Sequence, residues 1–287
     1  MVATTPAAET RRQRWTRLFG RYALAPLLAL AALPVSVHIL QKPDLGLAVH
    51  RTQVIAVAPD GPAARSGIQA GDHLLALDGV RIHRMVDWFA ASAGNYSLDP
   101  RQLTVARTGE NLTVTIQPRR PSRSRMVFGL STWLTGLTFL LIGWWVLGRR
   151  HDAVGRDFFA MCLIFAFFLA DIPDLPSRGY LELKQMLREL LQYLWPVYFL
   201  RFFLMFPATG QVRTVRLQRY LFVPAGLLIV LTILAHLVGI TEESAAAGVL
   251  QGAAQLHFLI FFVLGLVVFA RKVLRRDRPI LLSLIHI

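Results

Sequence analysis

Cysteine is almost missing from this chain: Cys162 is the single one in 287 residues. That excludes an internal disulfide, and its setting in an apolar run makes it a packing residue rather than a redox or metal group. Charge is scarce as well. Charged residues make up 17% and hydrophobic ones 54%, where soluble domains carry about 25% charged residues. With a mean hydropathy of +0.48, the balance excludes an ordinary soluble protein. Lysine is limited to Lys42, Lys184 and Lys272, so arginine supplies nearly all of the 31 basic residues. With the abundance of alanine, this is the composition of a GC-rich bacterial genome. The net charge of +14 invites a nucleic-acid partner, but the basic residues flank apolar runs, where membrane topology rather than a phosphate backbone uses them.

One stretch reads as a water-soluble fold, residues 54–82. The alternating run Val54, Ile55, Val57 ends at the turn cluster Pro59-Asp60-Gly61-Pro62. Pro62 suits the first turn of a short helix carrying Ala63 and Ala64, and Gly67 suits its left-handed stop. Ala70-Gly71-Asp72 makes another turn, a strand follows from His73 to Leu77, and Asp78-Gly79 turns the chain into Val80-Arg81-Ile82. This order resembles a PDZ domain of the bacterial protease type. The match lies in Pro59, Gly61-Pro62-Ala63-Ala64, Gly67-Ile68, Gly71-Asp72, Leu74-Leu75, Leu77 and Asp78-Gly79. It departs at Asp60-Gly61, where Gly-Ser is usual, and at Asp78, where Asn is usual. The resemblance extends over residues 44–118. Within that range, residues 85–91 suit a short amphipathic helix anchored by Trp88 and Phe89, and residues 102–107 and 111–117 suit a hairpin around Thr108-Gly109-Glu110.

The resemblance implies a fold, α+β with a partly open β-barrel and two helices, and a binding mode. Leu45-Gly46-Leu47 resembles the loop whose backbone N–H groups cradle a peptide carboxylate, while the next strand pairs with the peptide by β-augmentation. Gly46 would leave room for that anion. The peptide-binding residues so implied are Leu45, Gly46 and Leu47 at the peptide end. Leu47, Val49, Val86, Phe89 and Ala90 would line the side-chain pocket. The alternative for Leu45-Gly46-Leu47 is a plain strand entry.

The remainder reads as membrane. A basic cytoplasmic N-terminus (residues 1–21) precedes an apolar run at 22–40. At 19 residues and with a poor cleavage site at Pro34-Val35-Ser36, that run fits an uncleaved anchor better than a signal peptide. After the basic linker 119–126, a hinge or a lipid-headgroup contact, further spans are expected at 127–147, 154–172, 190–207, 222–240 and 246–270. The segment 154–172 is the weakest, its unbroken apolar core being short. Sixteen Arg and Lys residues fall on one side of this arrangement and three (Arg178, Lys184, Arg188) in the short loops of the other. The long segment 41–126 is exempt from such counting. Both termini are therefore expected in the cytoplasm and the PDZ-like domain outside, across a bacterial inner membrane. The basic exit 271–287 has no natural-looking end, so the chain is expected to continue into a cytoplasmic domain.

A PDZ domain next to membrane spans also occurs in intramembrane zinc proteases, but those need His-Glu-x-x-His, and none of the eight histidines has that context. Serine-protease and phosphate-loop patterns are missing too. No catalysis, cofactor or metal is therefore expected. Arg201, His236 and His257 lie in or near spans, where ionisable groups are functional candidates. Arg201 can also snorkel to the interface, and His257 either senses protons or bonds a neighbouring helix.

The layout is similar to the input half of bacterial PDZ-bearing sensors, such as competence-type histidine kinases and sensors linked to PPM-type phosphatases. The expectation is a polytopic α-helical membrane receptor of about six spans. Its partners would be a peptide or protein C-terminus, the bilayer and a second copy of the chain, with no nucleic acid. The alternative is a PDZ scaffold of the cell envelope without output.

Overall fold

The computed structural model describes Leu27, Leu30 and residues 32–150, 152–170, 173–206, 217–240 and 244–274. The first part of the expected N-terminal span at 22–40 and most of the exit at 271–287 therefore lie outside the described residues. Helix α1 (Leu33–Gln41) leads directly into the soluble domain. That domain comprises β1 (Leu47–His50), β2 (Gln53–Val57), helix α2 (Pro62–Arg65), β3 (His73–Leu77), β4 (Val80–Arg81), helix α3 (Met85–Ser92), β5 (Arg101–Arg107) and β6 (Glu110–Ile116). The sheet is antiparallel throughout, ordered β1-β2-β3-β5-β6, with β4 paired to β3.

Local chemistry explains these elements. Pro62 occupies the first turn of α2, where its missing N–H costs nothing. Gly67 follows the helix at φ +81°, and the Ile68 N–H closes back on the Ala63 carbonyl. Asp78 and Gly79 both take positive φ, the two-residue turn that suits a right-twisted hairpin. The last hairpin turns on Thr108 and Gly109 alone, because Glu110 already pairs with Arg107. Alternating residues of the strands converge on one core. Val54, Leu77, Leu103, Val105 and Ile116 are fully buried, and Trp88 of α3 closes it. At about 1.5–3 kcal/mol for each buried aliphatic side chain, this cluster is the main source of the domain's stability. Arg107 ties β5 to the turn before β3, its guanidinium donating to both Asp72 oxygens at 2.8 and 2.7 Å.

The helical block contains α4 (Arg123–Arg149), α5 (Ala153–Leu169), α6 (Arg178–Met205), α7 (Phe222–Val238, preceded by a 3-10 turn from Leu217) and α8 (Ala245–Leu274). Among the described residues three helices are long and apolar enough to cross a membrane: α4, the segment Gln218–Val238, and α8. They coincide with the spans expected at 127–147, 222–240 and 246–270. Helix α5 covers most of 154–172, and the expected 190–207 span is the second half of α6. The loop expected before that half is not a loop. Helix α6 begins at Arg178 because the Ser177 hydroxyl accepts from the Tyr180 N–H and the neutral capping is reinforced by ion pairs described below.

Small residues let the helices approach. Gly129, Gly136 and Gly143 recur every seven residues on α4. A Cβ at Gly129 would meet Ile39 of α1 at 2.7 Å, and one at Gly143 would meet the Cys162 Cβ at 2.6 Å, so this stripe is an interface. Trp195 of α6 stacks on Phe258 and Phe262 of α8 and lies against Phe165 of α5, which joins three helices through one indole.

Candidate functional site

Among the described residues strand β1 has only one neighbour, β2, so its outer edge is open to a further strand. At its entry, Gly46 adopts φ +72°, and a Cβ there would meet the Pro62 Cδ at 3.0 Å. The Gly46 carbonyl accepts from the Ala58 N–H and the Leu45 carbonyl from the Ala63 N–H, which pins the loop onto α2. The Gly46 N–H donates to Asp44 Oδ1 at 3.0 Å. That carboxylate is nearly buried and also takes Arg125 Nη1 at 2.5 Å and Arg119 Nε at 3.4 Å. The backbone donor that the resemblance assigns to a ligand carboxylate is therefore engaged by a carboxylate of the chain itself, braced by two arginines.

Across from β1 stands α3. Val86 is buried, Phe89 is half-buried against the core, and Val49 faces them from the strand. These three line one side of a cavity of about 690 Å³; Leu45, Gly46, Leu47 and Ala90 lie outside its wall. The opposite side comes from the helical block, with Tyr193, Thr232, His236 and Ala254 among its residues. The resemblance named Val49, Val86 and Phe89 and none of the helical residues, because no local pattern announces that the edge of this sheet faces a helix bundle.

Ion pairs hold the domain in this position. Asp87 of α3, buried, accepts from the N–H groups of His83 and Arg84, both at 3.0 Å, and from the guanidinium of Arg178 at the start of α6. Burial alone would raise its pKa, but these three donors hold the carboxyl below the usual carboxylate range. Arg84 reaches Glu182 at 2.6 Å. Asp174, just before α6, binds both Lys184 at 2.8 Å and Lys42 at 3.4 Å. Burial pushes its carboxyl up, and the two ammonium groups more than offset that, so it too sits below its ordinary value. The tip of the β1–β2 hairpin joins in: Arg51 Nη2 donates to Gln251 Oε1 of α8 at 3.2 Å. Its turn residues Arg51 and Thr52 take φ of +49° and +61°, a conformation that β-branched threonine rarely adopts.

The polar groups singled out within the helices have specific partners. Arg201 lies 3.3 Å from Asp157 of α5, with its guanidinium also over the Phe222 ring. His257 bonds the Tyr193 carbonyl at 3.1 Å and stacks near Phe261, and is not part of the cavity wall. His236 is, with its ring nitrogen 2.9 Å from the Thr232 carbonyl. Among the described residues there is no cluster of three or more His, Cys, Asp or Glu that could hold a metal ion.

An open edge strand opposite a short helix, entered through a glycine loop pinned on a Pro-Ala-Ala helix, agrees with the sequence profile of the PDZ domain family, which matches residues 35–117. The chain carries a PDZ domain. The domain as matched begins within α1, earlier than the expected start at residue 44. A protein of Clostridium perfringens (strain 13 / Type A) named "Putative zinc metalloprotease CPE1693" is similar, with 34% identity over 94 residues. The match covers 32% of this chain, and the chain spans only about a quarter (27%) of that relative's length.

Proposed function

We propose that this protein is a membrane-embedded peptide receptor whose PDZ domain takes an extended peptide or protein C-terminus along β1, opposite Val49, Val86 and Phe89. One observation carries the reading: among the described residues, the open edge of β1 and the facing side of α3 bound a cavity instead of being covered by another element. Main-chain pairing along β1 would supply affinity, and the pocket between strand and helix selectivity.

The receptor reading extends to the membrane. Besides α4, α7 and α8, the segments 22–40, 154–172 and 190–207 cross a bacterial inner membrane, with both termini cytoplasmic and the PDZ domain outside. The distribution of basic residues supports this orientation. Of the three on the minority side, Arg178 and Lys184 are neutralised by Asp87 and Asp174. In this reading the chain has no catalysis of its own and passes a ligand-dependent shift of α6 to a cytoplasmic output. The docking of α3 on α6 favours relay over passive scaffolding, since a scaffold needs no such contact. The name of the Clostridium perfringens relative belongs to a protein of which this chain matches a quarter, and the sequence here has no His-Glu-x-x-His.

Panning a library of free C-terminal peptides on the whole protein in nanodiscs tests the groove. Enriched peptides should share an apolar final residue and lose binding on Val86→Glu. A library that enriches nothing, or binding indifferent to Val86→Glu, overturns the reading. Alkaline-phosphatase and fluorescent-protein fusions after residues 120, 175 and 242 should report the outer side, and after 151 and 211 the inner side.

A further inference from the structure

The cavity extends well beyond the groove. Along α6 its wall runs from Leu181 to Tyr193, which at 1.5 Å per residue is about 18 Å, the length of about five extended residues. Carboxamides stand on this wall: Gln185 and Gln192 two turns apart on α6, Gln251 and Gln255 one turn apart on α8. Amide side chains turned toward lipid tails would lose their hydrogen-bond partners. Turned into a polar cavity, they can donate to and accept from a peptide main chain. The wall is also electropositive. Lys42, Arg51, Lys184 and Arg188 line it against Asp174 and Glu189. Asp174 is already shared by the two lysines, Arg51 donates to the neutral Gln251, and neither Arg51 nor Arg188 has an ion pair among the described residues. Arg51 is held there by a hairpin turn in the left-handed region, a strain of the kind found where position matters to function.

A peptide paired antiparallel to β1 with its C-terminus near Leu47 would leave the groove past His50, and His50 and Arg51 border the cavity. We infer that the cavity is a second subsite for the same ligand, taking the upstream part of the peptide, with acidic side chains at Arg51 and Arg188 and its main chain among the glutamines. This rests on the groove reading and specifies the ligand: an acidic peptide longer than the groove, not a bare C-terminal tail.

The test uses the whole protein in phosphatidylcholine nanodiscs and three fluorescent synthetic peptides with one common apolar C-terminus. One has about four residues and fills only the groove. Two have about ten and carry either two glutamates or two lysines upstream. The glutamate peptide should bind about tenfold more tightly than the lysine peptide. The Arg51→Gln/Arg188→Gln double variant should abolish that preference and leave the short peptide's affinity unchanged. If the short peptide binds but charge makes no difference, or the preference survives the double substitution, the subsite is wrong and the groove stands. If no peptide binds, the groove reading falls and the subsite with it. If phosphatidylglycerol in the nanodiscs removes the preference by competition, the cavity is a lipid-headgroup site and the peptide assignment is overturned.

Discussion

Asp87 and Arg178, 91 residues apart, meet in an ion pair that fastens the groove helix α3 to the first turn of α6. The Asp87 side chain is 1% exposed while Arg178 remains largely in solvent, so the carboxylate is the member that depends on the pair. A buried carboxylate stripped of a charged donor costs on the order of 2 kcal/mol, and here the loss would fall on the contact between the PDZ domain and the helical block.

The pH dependence follows in sign. Asp87, Asp174 and Asp72 all have carboxyl pKa values below the ordinary one; for Asp72 the leading cause is the Arg107 side chain. A carboxylate of this kind contributes stability above its unfolded pKa of about 3.9, and the contribution fades as pH falls through the folded value. Thermal melts of the whole protein should therefore be level from neutral pH to about pH 5 and decline below about pH 4. Asp87→Asn should melt lower at pH 7 and show a shallower acid decline. An acid decline as steep as wild type would remove Asp87 from the account.

Asp44 gives a second expectation. It holds the Gly46 N–H and two arginines, the groups a ligand carboxylate would want. Asp44→Ala should strengthen binding of a free-carboxylate peptide by about tenfold and leave an amidated copy unchanged, at some cost in thermal stability. Equal effects on both peptides would show that Asp44 is a structural brace and no competitor.

Much of the PDZ domain was legible because its turns impose demands that few residues meet. Pro62, Gly67 and Asp78-Gly79 stand where helix starts, left-handed stops and tight hairpins require them. The β1–β2 turn was illegible for the converse reason: Arg51-Thr52 takes positive φ without the usual Asn or Gly, so only tertiary contacts explain it. Arg201 was visible as a charge in an apolar run, but no local pattern links it to its partner Asp157 on α5. Val49, Val86 and Phe89, which the resemblance names, come together on one side of the cavity. The helical side of the cavity was not legible, because Gln192 and Gln255 come together only through the packing of α6 against α8.

The glycines separate backbone demand from space. Gly46→Ala meets both a left-handed φ and Pro62, whereas Gly61 has an ordinary φ but would bring a Cβ to 2.8 Å from the Ala58 carbonyl. Each should destabilise the protein by about 1–3 kcal/mol, while Gly109→Ala, strained in φ but open in space, should cost about 1 kcal/mol. Equal melting temperatures for the Gly46 and Gly109 variants would refute the crowding at Gly46.

The Asp157–Arg201 pair should behave asymmetrically. The two atoms at 3.3 Å approach without forming an aligned hydrogen bond, so the attraction is mainly Coulombic. Asp157 is 6% exposed and Arg201 20%. Arg201 keeps the Phe222 face if its partner is lost, but Asp157 keeps no other cation within ion-pair distance among the described residues. Arg201→Met therefore strands a buried carboxylate and should cost about 3–5 kcal/mol. Asp157→Asn should cost less, and the double variant should recover most of the loss, because removing both charges removes the desolvation problem. Cys162, buried on α5 against Gly143, gives the readout, since a thiol-reactive fluorophore can label it only after the helices open. If the double variant labels as early as Arg201→Met alone, the residues are uncoupled, and Arg201 acts through Phe222 instead.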